Sequence, residues 1–113
     1  MPARPLSAVA VLVLSSLAEA SRHAYNLKKD VKDRSGGDVA PGATSLYRTV
    51  WQLQNDGLIA ETRERPAPEL DDERRRYFQI TPAGRRALVA ERARLERLLE
   101  AAKPRRAAAK VRP

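Results

Sequence analysis

Cysteine is absent from the 113-residue chain, which excludes a disulfide framework and any thiolate metal site. Histidine occurs once, as His23, and no second ligand is spaced near it to complete a zinc site. His23 is therefore expected to be a structural or surface residue, and no bound metal is expected. Aromatic residues make up 4% of the chain, too few for the stacked rings on which single-stranded RNA is held. No glycine-rich phosphate loop, nucleophile motif or Cys/His cluster appears. A non-enzymatic protein with no cofactor is expected. Acidic residues are in deficit, 14 Asp+Glu against 22 Lys+Arg, for a formal net charge of +8. That balance favours a polyanionic partner.

No apolar run is long enough to cross a bilayer; the longest extends from Leu6 to Leu17. A membrane partner is not expected, and the lack of cysteine is compatible with a reducing, cytoplasmic location. Arg4, this run and Ala18-Glu19-Ala20 together have the form of a signal peptide with an A-x-A site. Against that form, a second amphipathic segment follows without a linker. Cleavage would also remove the longest apolar stretch of a small domain. We read the run as part of the fold.

Leu6 to Ala20 predicts a helix, with Leu6, Val9, Val13 and Leu17 on one stripe and Val11, Leu12 and Leu14 widening it. A helix apolar on most sides needs more than one neighbour to cover it. Ser21-Arg22 predicts a turn. A second helix is expected from about His23 to Arg34, with Tyr25, Leu27 and Val31 inward and Lys28, Lys29 and Lys32 outward, ended by Ser35-Gly36-Gly37. Pro41-Gly42 marks the next turn. Ala43 to Asp56 predicts a third helix whose Leu46, Val50 and Leu53 share a face, with Thr44, Arg48 and Trp51 roughly opposite and Ser45 and Gln52 beside them. Trp51, the only tryptophan, is expected to pack against a neighbouring helix or the hairpin. Leu58 to Arg65 and Arg74 to Ile80 predict the two strands of a hairpin, joined by a loop with Pro66, Pro68 and the acidic residues Glu69 to Glu73. Those carboxylates are expected to be solvated and to balance the arginines. Thr81-Pro82 opens a last helix, since Thr caps well and Pro fits the first helical position. It is expected to reach Ala102 and to carry Leu88, Leu95, Leu98 and Leu99 on a stripe. Lys103 to Pro113 is basic and Ala-rich and is expected to be a disordered tail.

The expected fold class is mostly α with a small β-hairpin: a winged helix-turn-helix over 1–81, a dimerisation helix over 82–102 and the basic tail over 103–113. In that frame the second and third helices form the helix-turn-helix, and the third enters the major groove of double-stranded DNA. Arg48 and Ser45 become candidates for base or phosphate contact, with Thr44 and Gln52 on the same polar face. Tyr47 and Tyr25 are each left between hydrogen-bonding a phosphate and being half-buried. Arg74, Arg75 and Arg76, a solvated strand face in isolation, become candidates for backbone or minor-groove contact on the wing. Alternation predicts Arg74 and Arg76 on one face and Arg75 on the other, with Tyr77 or Phe78 in the core.

These pieces resemble the PadR family of transcriptional regulators, in its short form. His23-Ala24-Tyr25 followed by Leu27 is similar to the family's second helix, with Ala24 where Gly is usual. Leu46-Tyr47-Arg48, Leu53 and Asp56-Gly57-Leu58-Ile59 are similar to its recognition helix. In this chain Ala43-Thr44-Ser45 stands where Pro-Gly-Thr/Ser is usual, and Trp51 where a basic or polar residue is common. Asp71 to Tyr77 and Thr81-Pro82-Ala83-Gly84-Arg85-Arg86-Ala87-Leu88 are similar to its wing and last helix. The resemblance covers Leu6 to Ala102. It implies a homodimer whose last helices swap and bury the first helix, with binding to a palindromic operator and repression as the outcome. Val9, Val13, Leu88, Leu95, Leu98 and Leu99 are the candidate dimerisation residues. An effector is not identified by the sequence; one that acts would change the spacing of the two DNA-reading heads. The alternative is a winged-helix module that binds other proteins.

Overall fold

The computed structural model describes residues 5–64 and 75–105. Four helices and three short strands follow in the order α1 (Ala8–Leu17), β1 (Arg22–His23), α2 (Ala24–Arg34), α3 (Ala43–Asn55), β2 (Ile59–Thr62), β3 (Tyr77–Ile80) and α4 (Pro82–Ala101). The Ser7 hydroxyl starts α1 by accepting the Ala10 N–H at 3.1 Å. Val13 and Leu14 of α1 are fully buried and meet Leu27 and Val31 of α2 and Leu46, Val50 and Leu53 of α3 in one core. The three-residue and four-residue steps along α3 place its apolar residues on one side, as the sequence predicts.

Three corrections concern local structure. Arg22–His23 is not a free turn. It is a two-residue strand antiparallel to β3, with Arg22 opposite Phe78 and His23 opposite Tyr77. The sheet order is β1-β3-β2, so the hairpin strand β3 is central and both Tyr77 and Phe78 are buried. On α2 the inward residues are Ala24, Leu27 and Val31, and Tyr25 faces out. Residues two apart on a helix lie nearly opposite, so Tyr25 cannot share a face with Leu27, whereas steps of three and four can. The strands are also shorter than expected: β2 ends at Thr62 and β3 begins at Tyr77.

The end of α3 and the start of α4 are joined through the backbone. Gly57, at φ 76°, lets the Leu58 N–H bond back to the Leu53 carbonyl at 2.9 Å and closes α3. The Leu58 carbonyl then accepts the Thr81 N–H at 3.0 Å. Thr81 caps α4 by accepting the Gly84 N–H at 3.0 Å while donating to the Gly57 carbonyl at 2.7 Å. Gly84 is packed so tightly here that a Cβ would lie 2.0 Å from the Leu58 oxygen. At the far side, the buried Glu91 accepts the Leu6 N–H at 3.2 Å and pairs with Arg94 at 2.6 Å, tying α4 to the start of α1. Arg94 holds the Glu91 carboxyl below the usual carboxylate range against the opposing effect of burial, with help from the Leu6 N–H.

Candidate nucleic-acid interface

The outer side of α3 is the natural centre of the site, because its inner side is committed to the core. Gly42 supplies no side-chain cap, so the N–H groups of the first turn face outward beside the exposed Thr44 and Ser45. Arg48 follows one turn on and is exposed. Gln52 is exposed and donates to Asp56 Oδ1 at 3.2 Å, a contact within the helix end that competes with any outside partner.

Two grooves adjoin α3, one along its side and one at its start, and Tyr25 lines both. The first, of about 660 Å³, lies between α3, the start of α2 and the chain entering β3. Tyr25, Tyr47 and Trp51 form its walls with Arg75 and Arg76, over Val50 and Phe78. Trp51 is 62% exposed, so the expected packing against a neighbouring element does not occur: its position is rotated away from the Leu46–Val50–Leu53 side toward the groove. Tyr25 and Tyr47 are exposed at 67% and 59%, which answers for both the question of burial. The second groove, of about 410 Å³, joins Lys28, Lys29 and Lys32 of α2 to Pro41 and Gly42 before α3. These lysines were legible only as an outward face; their convergence on the start of α3 is a property of the fold. Among the described residues, Lys28, Lys29, Lys32, Arg48 and Arg76 form no ion pair. Arg34, by contrast, is engaged by Glu19 and Asp30, and holds the Glu19 carboxyl below its ordinary range.

His23 links the first groove to the wing. Its Nδ1 accepts the Asn26 N–H at 3.3 Å and caps α2, while Nε2 stands 3.0 Å from the Arg75 guanidinium. A neutral imidazole accepts at one nitrogen and donates at the other, and Arg only donates. The helix cap and Arg75 therefore compete for a single lone pair. Tyr77 meets the His23 ring edge-on at 5.2 Å and Tyr25 stacks on it at 6.4 Å. Arg75 and Arg76 are both exposed in irregular chain before β3. Arg74, with most of the wing loop, lies outside the described residues, so the expected alternation of the three arginines is not described either.

The apolar residues of α4 divide. Leu88 is buried in the chain's own core, as is Val13 of α1, at 9% and 0% exposure. Val13 thus offers no surface to a partner, because the core formed with α2, α3 and α4 already encloses it. Val9 and Leu95 are half-buried, while Leu98 and Leu99 are exposed. Among the described residues no helix is long and apolar enough to cross a membrane. Nor is there, among them, a cluster of three or more His, Cys, Asp or Glu side chains able to hold a metal ion.

Comparison with known proteins gives a consistent result. The profile of the "Transcriptional regulator PadR-like family" matches residues 13–90. The transcriptional regulator Rv3488 of Mycobacterium tuberculosis is 35% identical over 92 residues, covering 81% of this chain and 79% of that protein. The crystal structure of a PadR family transcription regulator from Clostridium difficile superposes with a TM-score of 0.71 at 17% identity, covering 84% of this chain and 94% of the other. A PadR family regulator from Eggerthella lenta superposes with a TM-score of 0.66 at 27% identity, covering 82% and 76%.

Proposed function

This chain belongs to the PadR-like family of transcriptional regulators, and on that premise we propose that it represses transcription by binding a palindromic DNA operator as a homodimer. The observation that carries the DNA reading is the pair of cation-lined grooves beside α3, one along its outer side toward the wing and one at its N-terminal end, with Tyr25 lining both. A helix seated in the major groove has a phosphate strand along each flank. Lys28, Lys29 and Lys32 suit one strand; Arg76, with Tyr25 and Tyr47, suits the other. Between them Thr44, Ser45, Arg48 and Gln52 face the base edges. Arg75, exposed in the chain entering β3, stands beside these backbone contacts.

The homodimer rests on a mismatch of lengths. At 1.5 Å per residue α4 is about 30 Å long and α1 about 15 Å, so α1 covers only the first half of the α4 stripe. Gly84, Leu88 and Glu91 are buried, whereas Leu98 and Leu99, on the same side, are exposed. A second copy brings an identical stripe to cover them, and with it the half-buried Val9 and Leu95. Two heads spaced by such a helix pair match two half-sites, and a protein seated over a promoter represses by occupancy.

Selection of duplexes from a random pool tests the reading. We expect a short inverted repeat to be enriched, bound with an affinity that falls steeply as salt rises. Arg48→Ala is expected to lose affinity unequally across variants of that repeat, by about 1–3 kcal/mol at the base pair it contacts. A pool with no enriched sequence would overturn the proposal.

A further inference from the structure

The groove between α3 and the wing differs from the lysine-lined groove in adding Tyr47 and Trp51 to Tyr25, which lines both. Trp51 is 62% exposed on the outward side of α3, which also carries Thr44, Ser45, Tyr47 and Arg48. It stands one helical turn beyond both Tyr47 and Arg48, four and three residues on, and so shares the outward side of α3 with each. Indole has one N–H donor and a large apolar surface, so it is poorly suited to phosphate and well suited to an apolar contact. The occupant must therefore be a polyanion that itself presents an apolar point. The major groove of duplex DNA has one such group, the 5-methyl of thymine. A second copy of this chain is a poor occupant, since the exposed Arg48 and Arg76 of two copies would be brought together.

We propose that Trp51 is a specificity-determining residue that packs on the 5-methyl group of a thymine next to the base pair addressed by Arg48. The hydroxyls of Tyr25 and Tyr47, with Arg76, hold the phosphate strand that crosses the same groove and fix the distance of the indole from the base edges. Phosphate contacts set the register but carry no sequence information, whereas the methyl contact distinguishes thymine from cytosine and uracil. The proposal rests on the DNA-binding reading of this face and adds to it one base preference and the residue responsible.

The test uses the full chain and the duplex it enriches from a random pool. Each thymine is replaced in turn by deoxyuridine, which pairs identically and lacks only the methyl group. Affinities are measured for wild type, Trp51→Ala and Trp51→Phe. Burying one methyl-sized group is worth about 0.8 kcal/mol, a factor of about four in affinity. Wild type is expected to lose about that factor at one thymine per half-site, Trp51→Phe to keep part of the loss, and Trp51→Ala to bind thymine and deoxyuridine equally there. The fluorescence of Trp51, the sole indole, is expected to change on binding the thymine duplex more than the substituted one. Thymine penalties that persist unchanged in Trp51→Ala, or none in wild type, overturn the proposal while leaving DNA binding intact. A protein that enriches no duplex overturns the DNA reading, and this inference with it.

Discussion

Among the described residues, the large apolar side chains exposed on α2 and α3 and those exposed on α4 have different surroundings. On α3 and the start of α2 they are aromatic, namely Tyr25, Tyr47 and Trp51, set among Lys28, Lys29, Arg48 and Arg76. On α4 they are aliphatic, Val89 in its first half and Leu98 and Leu99 in its second, with charges of both signs along the second half at Arg92, Arg94, Glu96, Arg97 and Glu100. The first surface repels its own copy and attracts a polyanion. The second mixes both signs, so its charges oppose a copy of itself far less. Exposed apolar area alone thus names no partner; the sign and spread of the charge around it divides the two roles.

Charging the aliphatic region is expected to have the largest effect. Leu98→Glu removes a contact worth about 1.5–3 kcal/mol from each of two copies. Sedimentation should then show the dimer dissociation constant rising about a hundredfold or more, with the helical content retained. Next comes the joint between the regions. Gly84→Ala forces a Cβ onto the Leu58 carbonyl, and relieving such overpacking costs about 1–3 kcal/mol. Denaturant titration should register that loss, and dimerisation and DNA binding should weaken together, unlike any change confined to one surface. Arg76→Ala is expected to act only on the cationic region. All duplexes should bind more weakly by a similar factor, and the slope of log affinity against log salt should become shallower by about 0.9 for each copy, about 1.8 for the dimer.

The smallest effect is expected at Glu91. Its carboxyl is held below its ordinary value of 4.5 in the folded chain, so its contribution is present above that value and disappears as the pH falls through the lower folded one. Glu91→Gln should melt below wild type near neutral pH, and the gap should close in acid. A gap independent of pH would assign the effect to packing instead of charge.

The sequence made some of this legible and not the rest, for physical reasons. The Leu46–Val50–Leu53 stripe and the Thr81-Pro82 cap announced α3 and α4, because periodicity and capping are local chemistry. β1 was hidden, since two residues carry no period and only pairing with β3 makes them a strand. Tyr25 was misassigned by treating Tyr25 and Leu27 as one face. Val13 belonged to the core instead of a partner because α1 is covered by three helices of its own chain. Nothing local to Gly84 or Glu91 reveals a contact with Leu58 or Leu6. Likewise Trp51 and the three lysines became groove walls only once α2, α3 and the wing were assembled. Spacing gave the outward face; tertiary contact gave its neighbours.

The separation of the two surfaces is tested most directly by the stoichiometry and base preference of Leu98→Glu on the enriched duplex, measured by sedimentation. Wild type should bind as two chains per inverted repeat. The variant should bind far more weakly, as independent single chains on either half-site, with the order of preference among half-site variants unchanged. A variant that still binds as a tight pair, or whose base preference is altered, would contradict the assignment of α4 to self-association and α3 to DNA.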